Sequence, residues 1–305
     1  MIMKLRRLAA SVVVGLAAAA GPAMADEAKV LQTALTGEDN AEQRINFSGK
    51  LRMLSQRIPS AACHLSRGID VDGSSALMAA APAEFEKILT ALEFGDPDLD
   101  IMRAEARKKT LFKIHELRAR WEPMKAAAEA VAAGTASDAD IDYLLGNNME
   151  VLAAAQSLVS ELVKQYSNPN AVPFADLLLV DISGRQRMLT QKMSKESCIL
   201  ATPFKTPETL GDLEGTMNIF EASLDALRFG MSDVGIKPPP NPTISSGLEV
   251  VVYDWTAVKP MLQDVLAGTT LDTETEADKF RQLNITMANM NTVVGMYAAA
   301  SKPAD

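Results

Sequence analysis

The sequence predicts an all-α fold: two tandem antiparallel four-helix bundles joined as a pseudo-dimer. Three observations predict it. The decapeptide Ser48-Gly49-Lys50-Leu51-Arg52-Met53-Leu54-Ser55-Gln56-Arg57 recurs as Ser183-Gly184-Arg185-Gln186-Arg187-Met188-Leu189-Thr190-Gln191-Lys192, an offset of 135 residues. Almost every segment carries apolar residues at helical spacing, and no convincing alternating strand occurs. The Pro- and Asn-rich run Asn168-Pro169-Asn170-Ala171-Val172-Pro173 then separates two copies of the same pattern. The repeat extends well beyond the motif. Cys63 and Cys198 keep the 135 offset, as do Phe85 to Gly95 and Phe220 to Gly230, while Trp121/Trp255 and Gly134/Gly268 continue it at 134.

The elements follow in order. Residues 1–25 read as a secretory signal: Lys4, Arg6 and Arg7, an uncharged apolar run from Leu8 to Ala20, and Ala23-Met24-Ala25 before Asp26. This predicts a periplasmic protein, with N-terminal membrane anchoring as the alternative. Module 1 spans 26–168 and module 2 spans 173–305. In the first motif helix Phe47, Leu51, Leu54, Ile58, Ala61 or Ala62, and Leu65 form an apolar stripe. Further helices are expected at Ser75–Phe94 and Leu99–Ala133, with Pro82 and Pro123 as possible breaks. A fourth, capped at Ser137 to Asp140, runs to Tyr166. Module 2 repeats the set at Phe174–Leu200, Pro207–Gly230 (capped by Thr206), Thr243–Leu266 and Asp272–Ala300 (a Thr273/Glu276 capping box). Short connections make neighbours antiparallel, so the two motif helices are expected to start close together and run parallel.

Composition narrows the function. The formal charge is −9, and −12 once the three basic residues of the leader are removed, which disfavours nucleic acid and anionic membranes as partners. His64 and His115 lie in no nucleophile or metal-ligand spacing, and there is no glycine-rich phosphate loop or Cys/His cluster. The expectation is a non-enzymatic protein with no metal and no cofactor.

The motif helix carries a second face. Stepping 100° per residue, Ile45, Ser48, Gly49, Ser55 and Gln56 fall within about 60° of Arg52, well away from the stripe. A polar helix face is ordinarily a solvated one. Here Gly184, Arg187, Thr190 and Gln191 reproduce it more faithfully than the stripe is reproduced, since Leu51 becomes Gln186. That favours a site. Gly49 suits a place where another backbone passes close. Cys63 falls about 20° from Arg52 and three turns further along, and Cys198 sits likewise beside Arg187. If the motif helices are parallel neighbours, the two cysteines form a disulfide; two buried free thiols are the alternative.

The pattern Ile45-Asn46-x-x-Gly49-x-x-Arg52-Met53-x-Ser55-x-Arg57 resembles the P-box of NarX-like sensors. The form Gly184-Arg185-Gln186-Arg187-Met188-Leu189-Thr190-Gln191 resembles the PilJ-type domain, the N-terminal domain of type IV pili methyl-accepting chemotaxis transducers. The resemblance covers both modules. It implies a periplasmic four-helix sensor domain in which the motif arginines, Arg52 and Arg187, take a nitrate- or nitrite-like oxyanion at the interface, with Gly49 and Gly184 beside them. Ser48, Ser183, Gln56 and Gln191 are candidates for further donors. Arg57 matches a second basic position, replaced by Lys192 in the second copy. Pro59 departs from the family by interrupting the first motif helix. Family members usually carry membrane spans and an output domain; neither is recognisable here, so signalling would need a membrane-bound partner or would not occur. The competing expectation is a structural module that docks a receptor, pilus or chemotaxis component without a small ligand.

Overall fold

Helical periodicity becomes helix almost throughout the computed structural model, which describes residues 40–167 and 174–301. Among these residues the elements are α1 (Ala41–Ser66), α2 (Val71–Phe94), α3 (Lys108–Ala132), α4 (Asp138–Tyr166), α5 (Phe174–Ile199), α6 (Thr209–Phe229), α7 (Pro242–Leu266) and α8 (Thr273–Ala300). The leader and the Asn168–Pro173 linker lie outside the described residues. No described helix is long and apolar enough to cross a membrane.

The two halves repeat each other in packing as in sequence. Helix α1 packs on α2 and α4, and α3 on α2 and α4; α5 packs on α6 and α8, and α7 on α6 and α8. In each half a tryptophan from the third helix stacks on a phenylalanine of the second, at 4.0 Å for Phe85–Trp121 and 4.7 Å for Phe220–Trp255. Each indole N–H donates to the next glutamate along, Glu86 or Glu221, at 3.0 and 2.8 Å. A buried indole needs such an acceptor. The largest helix–helix contact in the molecule joins the halves through the motif helices α1 and α5.

Several boundaries differ from the sequence expectation for local reasons. Helix α3 begins at Lys108 rather than Leu99. The chain first makes a 3-10 turn at Pro97–Leu99 and closes a small loop through an Asp96–Ile101 bridge. Module 2 builds the same device at Ser232–Val234 with a Met231–Ile236 bridge. Gly95 and Gly230 enter these loops at φ 85° and 78°, which an L side chain resists. Helix α6 starts at Thr209, so Thr206 is not its cap; its backbone N–H instead donates to the Thr209 hydroxyl. The cap of α8 is Asp272, accepting from the Thr275 N–H, rather than Thr273. The Ser137/Asp140 capping box of α4 forms as expected.

Proline breaks fewer helices than predicted. Pro59 lies inside α1, Pro82 inside α2 and Pro123 inside α3, and none divides its helix. An interior proline costs about 3 kcal/mol in an isolated helix. Helix α1 is held on three sides by α2, α4 and α5, and that packing outweighs one missing backbone bond.

Candidate functional site

The seam between the motif helices is where the polar face goes. Ser48, Arg52, Ser55 and Gln56 are fully buried, as are Ser183, Thr190 and Gln191, with Arg187 1% exposed. The face is not a solvated one. Cross-seam contacts advance together along both helices. Asn46 meets Arg187, Arg57 meets Gln191, Ser60 meets Ser194, and Cys63 is bonded to Cys198 with Cα atoms 6.3 Å apart. Helices α1 and α5 are therefore parallel, and the disulfide reading holds.

Each arginine reaches across the seam and back to its own fourth helix. Arg187 donates through Nη1 to Asn46 Oδ1 at 3.0 Å and Asn291 Oδ1 at 2.7 Å, and through Nη2 to the Asn46 carbonyl at 2.9 Å. Arg52 makes the corresponding set. Its Nη1 donates to Gln156 Oε1 at 2.7 Å and lies 2.7 Å from Asp181 Oδ1, and its Nη2 donates to the Asp181 carbonyl at 3.3 Å. Asn46 and Asp181 are 135 residues apart, as are Gln156 and Asn291. The Nη1 side of each guanidinium is thus committed to holding helices together.

The other edge is not committed. Nε of Arg52 and Nε of Arg187 are buried with no hydrogen-bond partner among the described residues. A guanidinium carries five N–H donors. Each arginine therefore retains Nε–H and one Nη2 proton, the side-on fork that suits a planar oxyanion. The two forks converge. A Cβ placed on Gly49 would lie 3.2 Å from Arg52 Nη2 and 3.3 Å from Arg187 Nη2, so those atoms are at most about 6.5 Å apart. On Gly184 both distances would be 3.4 Å. The expectation that these glycines admit a passing backbone is corrected here: what fills the space is guanidinium nitrogen. Burial, then the facing Arg52 charge, pushes the Arg187 guanidinium down to about 9, and burial likewise lowers Arg52, with Asp181 opposing.

The remaining predicted residues flank this pair. Ser48 and Ser183 donate to the carbonyls of Ile45 and Val180 in their own helices, both at 3.1 Å. Gln56 accepts from Lys195 at 2.8 Å and donates to the Ser55 hydroxyl. Gln191 accepts from Arg57 and donates to Asn284. Their donors are thus engaged within the protein, a turn nearer the disulfide for the glutamines. Asn46, which the motif pattern contains without an assigned role, and Asp181, Gln156 and Asn291, which lie outside it, hold the arginines. The 135 register was the signal that could have found them.

Below the arginines the two halves diverge. Lys195 is buried and donates to Gln56 and to Asn148 of α4 at 2.8 and 2.7 Å; burial lowers its pKa to about 8. On the opposite side His64 stacks on Phe280 at 4.1 Å, and Arg67 pairs with Glu276 at 2.8 Å. Lys279 lies 3.6 Å from the same carboxylate. Burial holds His64 down to about 3, so it is neutral, with its Nδ1 2.8 Å from the Ser60 carbonyl.

The profile of the family described as PilJ, type IV pili methyl-accepting chemotaxis transducer N-terminal, matches residues 33–145 and 176–280. The two matched segments cover most of the chain and each contains one arginine of the pair, so the chain belongs to this family. No curated protein matches the chain. The family is one of sensory transducer domains, and membership points to a signalling role.

Proposed function

We propose that this member of the family is a periplasmic sensing or carrier protein that takes one small oxyanion between Arg52 and Arg187 and passes its state to a membrane-bound signalling partner. Nitrate and nitrite are the first candidates. The observation that carries the reading is the pair of buried guanidiniums whose Nη2 atoms converge on two glycines while both Nε atoms lack a hydrogen-bond partner. A charge-assisted contact is about 2.7–2.9 Å long, and the upper bound of about 6.5 Å between the two Nη2 atoms is within reach of one shared small anion. Two like charges held at this distance repel, and an anion relieves that repulsion. Because each arginine also grips its own fourth helix through Gln156 or Asn291, a change in guanidinium position is transmitted to α4 and α8. Binding shifts the arrangement only if the occupied and empty seams differ in affinity.

Titration of the exported chain in chloride-free buffer tests this. Nitrate or nitrite is expected to raise the melting temperature, and Arg52→Ala and Arg187→Ala are each expected to weaken binding by tenfold to hundredfold, roughly the worth of a charged hydrogen bond. Absence of any shift with nitrate and nitrite, or shifts in both variants as large as in the wild type, counts against it. A second reading rests on the Nη1 bonds: the arginines already act as cross-links between helices, which a docking module without a small ligand would also use.

A further inference from the structure

Of the groups that touch the two guanidiniums, one pair differs in charge between the halves. Glycine faces glycine (Gly49, Gly184), serine faces serine (Ser48, Ser183), and each arginine has an amide from its own fourth helix (Gln156, Asn291). At the remaining position Arg187 is met by the neutral Asn46, and Arg52 by the carboxylate of Asp181 at 2.7 Å. Asp181 is 6% exposed. The arginine pair and Asp181 therefore hold two cations and one anion, a single net positive charge, with the buried Lys195 a turn below on Gln56.

Other charges approach this layer from outside. Arg185, on the same helix as Asp181, takes its second oxygen at 3.1 Å, with its side chain 46% exposed. Glu84 of α2 acts on Arg187 and Arg57 but is paired with Lys50, and its side chain is 36% exposed. Both are screened by solvent and salt in a way the buried trio is not.

We propose that Asp181 is a tethered counter-ion that sets the charge and the handedness of the seat. It occupies part of the electrostatic demand of Arg52 and leaves Arg187 as the principal anchor. A monovalent oxyanion then neutralises the layer, whereas a divalent one such as sulfate leaves a buried negative charge without a partner, which is costly. Asp181 in this role both weakens binding and selects for single charge. The inference rests on the oxyanion reading above.

Calorimetric titration of sodium nitrate and sodium sulfate into the wild-type chain, Asp181→Asn and Asn46→Asp tests it, in chloride-free buffer at neutral pH. Both substitutions are nearly isosteric and keep an acceptor for the arginine, and circular-dichroism melting checks that each variant folds. Asp181→Asn is expected to bind nitrate at least tenfold more tightly and to acquire measurable sulfate binding. Asn46→Asp is expected to lose nitrate by a similar factor. If the wild type binds nitrate while Asp181→Asn binds it equally or more weakly and still excludes sulfate, the role of Asp181 is overturned and the oxyanion site stands. If no form binds either anion, the site itself falls and this inference with it.

Discussion

The upper and lower halves of the α1–α5 seam solve opposite problems. Around Arg52 and Arg187 the repeat is kept almost residue for residue, and buried donors are left without acceptors. Around Cys63 and Cys198 the repeat is abandoned. Lys195 stands where module 1 has Ser60, Lys279 where it has Leu144, and His64 where module 2 has Ile199. There a covalent bond joins α1 to α5, Lys195 ties α5 to α4, and Arg67 at the end of α1 pairs with Glu276 of α8. On the proposed oxyanion reading, a surface that meets a ligand from both sides keeps its symmetry, whereas one that only holds can specialise each side separately.

The largest effect should come from releasing the lower half. The bridge closes a loop of 135 residues, for which the chain-entropy treatment gives about 5 kcal/mol. Cys63→Ser with Cys198→Ser is expected to lower the unfolding free energy read from a denaturant titration by an amount approaching that figure while retaining anion binding in the surviving folded fraction. Loss of binding at unchanged stability would mean the two halves are not separate.

A smaller effect concerns pH. His64 is held near 3 when folded and returns to about 6.5 when unfolded. Between those values the unfolded chain binds the extra proton, so stability rises with pH across this window and is fully present above 6.5. This one group contributes a slope of about 1.4 kcal/mol per pH unit within the window. His64→Phe keeps a ring against Phe280 and should flatten the acid limb of a melting-temperature profile between pH 4 and 6.5; an unchanged slope would assign acid lability to other groups.

The smallest stability effect is expected in the upper half. Gly49→Ala removes a helix-weakening residue worth about 1 kcal/mol, offset by crowding of the arginine nitrogens. Its Cβ would come closer to both guanidiniums than one at Gly184. Anion affinity should therefore fall more in Gly49→Ala than in Gly184→Ala, with melting temperatures little changed. The reverse order would displace the site from the Gly49 side.

Much of this architecture could be read from the chain because the duplication repeats the contacts that define it. The 4-3-4-3 stripe from Phe47 to Leu65 placed α1, the 100° step placed Cys63 under Arg52, and the parallel pairing followed from short connections. What could not be read was which partners a buried polar group takes. Helical angles put Ser48 and Gln56 beside Arg52 but said nothing of Ile45's carbonyl or Lys195, which engage them. The start of α3 was missed because an isolated bridge, Asp96 to Ile101, carries no periodic signal. Pro59 was overrated because local propensity is weak against burial on three sides. Asp181 was visible in the register as the mate of Asn46, and its importance emerged only when both were seen holding arginines.

The central claim is that one anion is shared by two arginines at the upper seam. Its most direct measurement is the stoichiometry of the nitrate titration on the wild-type chain. The account predicts one nitrate per chain, with binding weakened in Arg52→Ala and in Arg187→Ala alike. Two independent nitrates per chain, each sensitive to only one arginine, or binding indifferent to both, would contradict it.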